Sequence, residues 1–343
     1  MRRSQQRGAV FPGWRFPKIT RITLVAPVLL LFLVIASSAE AQLSGKFALV
    51  GILYPGGQPL GSLEAFRDGL RERGYVEGRN LKLEWRFAEG HDERLPRLAR
   101  ELVNLKVDAI FAVNTQAAQV AKNTSQTIPI VIARVADPVR TGLVASLARP
   151  GGNVTGLTSI TDELAGKRVQ LLREALPKAQ RVAVVWNSGN PGLAITLQET
   201  EAASLQFGLK VQALPVHSVN DLPKVFEAVT RGHADVVVVL DDVLITSHKQ
   251  QIMEWATKSH LPVVSIYREF AEAGALLAYG PSIRDMYRRA AYFVDKILKG
   301  TKPGELPVEQ PTQFELVINL KAVKTLGLTI PQSLVARADE IVQ

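Results

Sequence analysis

Asp241 and Asp242 are adjacent carboxylates directly after the apolar run Asp235–Leu240, the pair in this chain best placed for general acid–base work. The same pair would equally serve to start a helix or to face a ligand's ammonium group. Other polar residues hold comparable places after apolar runs. Tyr54 and Gly56 follow the first run, Asn114, Thr115 and Gln116 a later one, and Asp137 the next. Thr158 lies where the pattern restarts, and Asn187, Tyr267 and Arg268 hold the matching places beyond it. In open α/β sheets ligands collect beyond the carboxyl ends of strands, so these residues define a candidate binding site by position. Their chemistry suits a zwitterion. Helix starts such as Asn114-Thr115-Gln116, together with Arg268, would hold a carboxylate. Asp137 or Asp241 would hold an ammonium, and Tyr54 and Tyr267 offer flat faces with a polar tip. Each also has a plainer use: Asn114 and Asp241 as helix caps, Asp137-Pro138 as a turn, Arg268 as a surface partner of Glu269 or Glu272.

Catalytic signatures are missing. The five histidines make no HExxH pair and there is no cysteine, so neither a transition-metal site nor a cofactor is expected. Asn187-Ser188-Gly189 follows Trp186 rather than the glycine of a nucleophile elbow. Gly166-Lys167 ends like a P-loop, but Arg168 replaces the Ser/Thr and Thr161 the first glycine. No GxGxxG follows the first strand. The chain reads as a binder rather than an enzyme, with a hydrolase or isomerase using Asp241 and Asp242 as the weaker alternative.

The elements that must position these residues alternate strand and helix. Phe47–Tyr54, Leu81–Phe87, Asp108–Val113 and Ile128–Ala133 read as strands, and Leu63–Arg73, Glu93–Leu105 and Thr115–Lys122 as the helices among them. After residue 160 the alternation begins again. Strands are expected at Arg181–Trp186, Leu209–Pro215, Asp235–Leu240 and Pro262–Ile266, and helices at Leu164–Leu176, Gly192–Phe207, Asp221–Thr230 and Ile245–Ser259. Such alternation specifies α/β architecture with parallel sheets, here two Rossmann-like lobes. The last third supplies a strand Ala275–Tyr279, a helix Ile283–Lys299, a strand Thr312–Ile318 and a final helix Leu334–Val342. These are too few for a third domain and should complete the two lobes. The chain would then cross between lobes near Gly156–Ser159, Tyr279–Ser282 and Pro311–Phe314. The expected division is residues 42–157 with 280–313 in lobe 1, and 158–279 with 314–343 in lobe 2.

The N-terminus carries an address. Six basic residues from Arg2 to Arg21 precede an uncharged run of about fifteen residues, Ile22–Ala36, followed by Ala39-Glu40-Ala41. This is the layout of a signal peptide cut after Ala41, and the run is short of the roughly 20 residues of a spanning helix. Removing six of the 41 Lys/Arg and one of the 32 Asp/Glu leaves 35 and 31, a net of +4 in place of +9. Those charges are interspersed, so nucleic acid is not an expected partner. Without cysteine the mature protein cannot be a lipoprotein, and a soluble monomer in a periplasm is the expectation.

Longer stretches resemble a known family. They include Gly74-Tyr75-Val76-Glu77-Gly78-Arg79-Asn80, Asp137-Pro138-Val139, and Arg149-Pro150-Gly151-Gly152-Asn153-Val154-Thr155-Gly156. Towards the C-terminus come Arg268-Glu269-Phe270, Tyr279-Gly280-Pro281, Leu306-Pro307-Val308-Glu309-Gln310-Pro311-Thr312 and Phe314-Glu315-Leu316-Val317-Ile318-Asn319. In order and extent they are similar to the exported substrate-binding proteins of ABC transporters, a group including tryptophan- and tyrosine-binding members. The resemblance implies a periplasmic-binding-protein fold with three crossover strands. It also implies capture of a small molecule, with an amino acid or related small carboxylate as first choice, and delivery to a membrane permease driven by a cytoplasmic ATPase. An extracytoplasmic sensor for a membrane receptor is the alternative. The family often has glycine-threonine-proline where this chain has Asn114-Thr115-Gln116, a departure within the expected site.

Overall fold

A computed structural model describes Gly13 and residues 47–58, 63–240 and 242–343. The expected leader, apart from Gly13, lies outside the described residues, and so does Asp241. Among the described residues no helix is long and apolar enough to cross a membrane.

Short apolar runs build two sheets. The first contains β1 (Ala48–Tyr54), β2 (Leu81–Phe87), β3 (Ala109–Val113), β4 (Ile130–Val135) and β5 (Val154–Thr158), in the order β2-β1-β3-β4-β5. All its pairings are parallel. β3, β4 and β5 are buried along their whole length, and β3 and most of β4 accordingly read as continuous rather than alternating apolar sequence. The second sheet holds β6 (Arg181–Asn187), β7 (Lys210–Val216), β8 (Val236–Leu240), β9 (Val263–Ser265), β10 (Leu277–Pro281), β11 (Phe314–Asn319) and β12 (Glu340–Val342). Its order is β12-β11-β10-β9-β8-β6-β7. Only β10 and β11 pair antiparallel. β10 runs towards the other lobe and β11 returns from it, so the two neighbours must point opposite ways.

Several sequence expectations are corrected. The final helix over Leu334–Val342 is a short helix, Gln332–Val335, followed by β12. The segment turns extended because Asp339 bonds β11 through both its N–H and its carboxylate, laying Ile341 and Val342 along an open sheet edge. The expected helix Ile245–Ser259 is two helices, Val243–Ser247 and Lys249–Lys258. His248 stands at the break, its Nδ1 2.9 Å from the carbonyl of Leu244. The expected strand Ala275–Tyr279 runs instead from Leu277 to Pro281. Proline is tolerated there because it ends the strand.

The chain passes between lobes three times. After β5 it enters the helix Ala165–Ala175, which packs on the second lobe's helix Pro191–Gln206. After β10 the helix Ile283–Leu298 turns back onto the helix Glu64–Arg71 and onto β3, β4 and β5. The fit is close: a Cβ on Gly69 would lie 2.6 Å from the Arg288 carbonyl oxygen. Phe66 stacks on Phe111 at 4.4 Å, and Tyr287 meets Phe111 edge-on at 5.7 Å. The third passage runs beside the first. Glu309 donates its N–H to Gly156 (2.9 Å) and accepts from Thr158 (3.0 Å), while Arg289 grips its carboxylate at 2.6 and 2.8 Å. Gly156 is required here. Its φ is +130°, and a Cβ would stand 2.3 Å from the Ile132 carbonyl oxygen.

β4 contains one irregularity. Ile132 pairs with Gly156 and Val135 with Thr158, so β4 holds one residue more than β5 over that interval. The bulge contains Arg134 at φ +57°, a left-handed conformation uncommon for a residue with a side chain.

Candidate functional site

A small cavity lies where the two lobes meet. The first lobe contributes Asn114 and Thr115, at the start of the helix Asn114–Thr124, with Arg134 and Ala136 from the end of β4. Ser159 and Thr161 come from the first crossing. The second lobe adds Asn190, Gly192 and Leu193 at the start of the helix Pro191–Gln206, then Asp242 and Tyr267. About 10 Å³ remains open between them, space for about one water.

Two helix starts from opposite lobes converge here. Asn114 has φ +72°, a conformation asparagine tolerates better than most residues and glycine adopts freely. Asn114 supports this backbone turn while presenting an amide. Its Oδ1 accepts from Ala117 N at 3.0 Å, capping the helix. In the other lobe, Asn190 Oδ1 accepts from Gly192 N at 3.1 Å. A Cβ on Gly192 would lie 2.4 Å from Thr115 Oγ1, so the two starts approach closely. N–H groups in a helix's first turn lack intrahelical partners, and the dipole adds partial positive charge.

A polar chain spans the lobes beside the cavity. Gln116 donates to Asp92 at 2.8 Å within the first lobe, Asn187 of the second lobe bonds the same carboxylate, and Asn187 also donates to Asp242 of its own lobe at 2.7 Å. Asp242 also accepts from Ile245 N at 3.1 Å, so it caps the helix that follows. Burial raises the pKa of Asp92, against the hydrogen bonds from Gln116 and Asn187. Burial likewise raises that of Asp242, against its hydrogen bonds from Ile245 and Asn187, and the nearby Asp92 raises it further. Arg134 is the cation among the described residues that line the cavity. Its Cζ lies 4.7 Å from the centroid of the Tyr267 ring and its Nη2 3.4 Å from Thr246 Oγ1.

Of the residues expected from sequence, Asn114, Thr115 and Tyr267 line the cavity. Gln116 and Asn187 belong to the polar chain beside it. Tyr54 is buried with its ring edge-on to Phe87, 6.1 Å away. Gly56 lies against Val243 and Ser247, where a Cβ would come within 2.6 and 2.8 Å. The Thr158 hydroxyl donates to the Val135 carbonyl (2.9 Å). Two expected residues are engaged elsewhere. Asp137 accepts from the N–H groups of Val139 and Arg140 and forms a turn. Arg268 pairs with Glu272, Glu315 and Glu340 at 3.0, 3.4 and 2.6 Å, tying its helix to β11 and β12. Asp241 lies outside the described residues. Arg134, Ser159, Thr161, Asn190 and Gly192 were not anticipated as site residues. Arg134 carried one signal, a charge inside the apolar run Ile130–Val135.

Comparison with known proteins fits this geometry. Residues 60–342 match the family described as ABC transporter substrate binding protein. This chain belongs to that family. The binding protein is 27% identical to a tyrosine-binding protein of Clostridioides difficile (strain R20291) over 265 residues, 77% of this chain and 76% of that one. Its fold is similar to that of an ABC domain from Streptococcus pneumonia in complex with L-Trp. There the TM-score is 0.79 at 26% identity, covering 86% of this chain and 99% of the other. A substrate-binding protein with adhesive properties from Clostridium difficile, in its ligand-free open structure, gives 0.59 at the same identity and coverage. The family and these relatives are solute binders, not enzymes.

Proposed function

We propose that this binding protein captures an amino acid or related small carboxylate between its lobes and delivers it to the permease of an ABC importer. The observation that carries the reading is the cavity itself, where Arg134 and two helix starts from opposite lobes converge on one small space. Such groups favour a carboxylate. The relatives named for tyrosine and solved with L-Trp support an amino-acid class. The higher TM-score with the L-Trp complex than with the open protein supports a conformation close to the loaded one. Lobe closure then shifts with ligand through its differential affinity for the closed form, and the three crossings act as the hinge. The residue pattern 1–41 supports export by a cleaved signal and work in the periplasm.

The test is a thermal-shift screen of the protein beginning at Gln42 against amino acids, small carboxylates, purines and sugars. A ligand at 100 times its Kd adds about 2.7 kcal/mol of stability. A shift with sugars or purines, and none with amino acids or carboxylates, would sink the reading. Uptake of the identified solute by cells lacking the gene then tests import: transport undiminished without the protein rules out the importer role.

A further inference from the structure

We propose that Ile160 is a pivot on which the lobes close, and that its left-handed backbone biases the unliganded receptor towards the open form. The inference rests on the reading of this conformation as close to the loaded one.

The first support is where the hydrogen bonds change sides. As far as its N–H, Ile160 is bonded to the first lobe. The Val135 carbonyl accepts from Ser159 N at 2.8 Å and from the Thr158 hydroxyl at 2.9 Å, and that hydroxyl accepts from Ile160 N at 3.3 Å. From its carbonyl onwards the chain is bonded to the second lobe. The Ile160 carbonyl accepts from Leu164 N at 3.1 Å, at the entry to the helix Ala165–Ala175, and the Thr161 carbonyl accepts from Arg168 of that helix. The Thr161 hydroxyl stands 3.5 Å from that of Thr196 in the helix Pro191–Gln206. At this crossing, a lobe rotation that keeps these bonds falls on the dihedrals of Ile160.

The second support is conformation. Ile160 has φ +44°, and a β-branched residue at positive φ is a steric outlier. It is buried, and such backbone persists only where its surroundings hold it. Neighbouring strand ends share the feature: Asn114, Arg134 and Asp137 have φ +72°, +57° and +24°. Left-handed residues thus collect along the first lobe's side of the cleft, and Ile160 is the one at a crossing. Ser159 and Thr161, on either side of it, line the cavity, so turning this residue moves both. Holding it left-handed raises the closed form in free energy, and opening relieves it.

Ile160→Gly and Ile160→Ala separate backbone from side chain. Both remove the buried side chain, but only glycine adopts positive φ without steric cost. The chain has no cysteine, so a pair introduced across the cleft reports closure alone. Gly56→Cys with Ser247→Cys suits this, since a Cβ on Gly56 would lie 2.8 Å from Ser247 Oγ. The pair is placed in the otherwise natural chain and in both variants, each beginning at Gln42 and without added solute, so its own effect cancels. Circular dichroism checks folding, and the rate of disulfide formation under one oxidant follows the closed fraction. Ile160→Gly should cross-link at least about fivefold faster than Ile160→Ala, as expected when a left-handed residue loses its Cβ. Equal rates, or a faster Ile160→Ala, overturn the proposal. Strain present equally in open and closed forms would make Ile160→Gly the more stable variant in denaturant without moving the rate, and that result overturns it too. No cross-link in any of the three folded proteins is the separate failure of the underlying reading.

Discussion

At the cleft the lobes meet through side chains brought from distant parts of the sequence; at the hinge they are joined by the chain itself. The cleft side is nearly filled, with about 10 Å³ left, whereas a groove of about 400 Å³ stays open on the hinge side around Leu157, Met286 and Pro311. The polar cleft contacts include hydrogen bonds and a stacked cation, each worth about 1 kcal/mol net and readily exchanged for water. Those at the hinge are backbone pairings of Glu309 with Gly156 and Thr158, which need not break for the lobes to part. The contrast teaches where affinity and motion are separately encoded. Specificity belongs to side chains that can be changed singly, and the axis of motion to backbone that cannot.

The largest expected effect breaks the hinge side. Gly156→Ala forces a Cβ into the Ile132 carbonyl at an unfavourable φ and should cost about 3 kcal/mol, measured by denaturant unfolding. A loss under 1 kcal/mol would show that this strand pair yields easily. Next in size is Arg134→Ala, which removes the cation offered to a ligand carboxylate: it should weaken binding of the solute found in the thermal screen at least tenfold, about 1.4 kcal/mol by calorimetry, and unchanged affinity would take Arg134 out of the site.

A smaller effect sharpens the electrostatics of the cleft. Asp92 and Asp242 belong to different lobes, and burial raises both pKa values. In the folded protein both therefore stay protonated to higher pH than in the unfolded chain, which also relieves the repulsion between the two lobes' carboxylates. Their contribution is fully present below the unfolded carboxylate value of about 3.9 and is lost as pH rises through the raised folded values. Acidification from neutrality into that window should tighten closure, seen as a falling radius of gyration by X-ray scattering. Asp92→Asn should close more readily at pH 7 and lose part of that pH dependence. Opening of wild type as pH falls through the window contradicts this assignment.

The smallest effect concerns Arg268. Its carboxylate partners are partly exposed, so Arg268→Ala should cost less than about 1 kcal/mol. Ligand affinity should be unchanged, and a tenfold loss in calorimetry would return this residue to the site.

Much of the fold was legible because buried parallel strands write themselves as unbroken apolar runs. β3 and β8 are the plainest cases. β12 was not legible: three residues ending Ile341-Val342 carry no periodicity, and only the exposed edge of β11 decides their conformation. The site divides in the same way. Asn114, Thr115 and Tyr267 follow from their places at strand ends. Asp137 and Arg268 hold equally good places, yet local hydrogen bonds and ion pairs engage them first. Arg134 depends on a one-residue bulge that no turn signal marks, and Ser159 and Thr161 on a crossing whose course is set by tertiary packing.

The helix Ile283–Leu298 has a consequence for how this chain acquires its shape. Tyr287 completes the aromatic stack begun by Phe66 and Phe111, yet it leaves the ribosome more than 170 residues after Phe111. The earlier-made half thus waits, its apolar surface uncovered, until nearly the whole polypeptide has been synthesised. The later half needs β11 and β12 from the extreme end. Each lobe is therefore completed only by the last third of the chain.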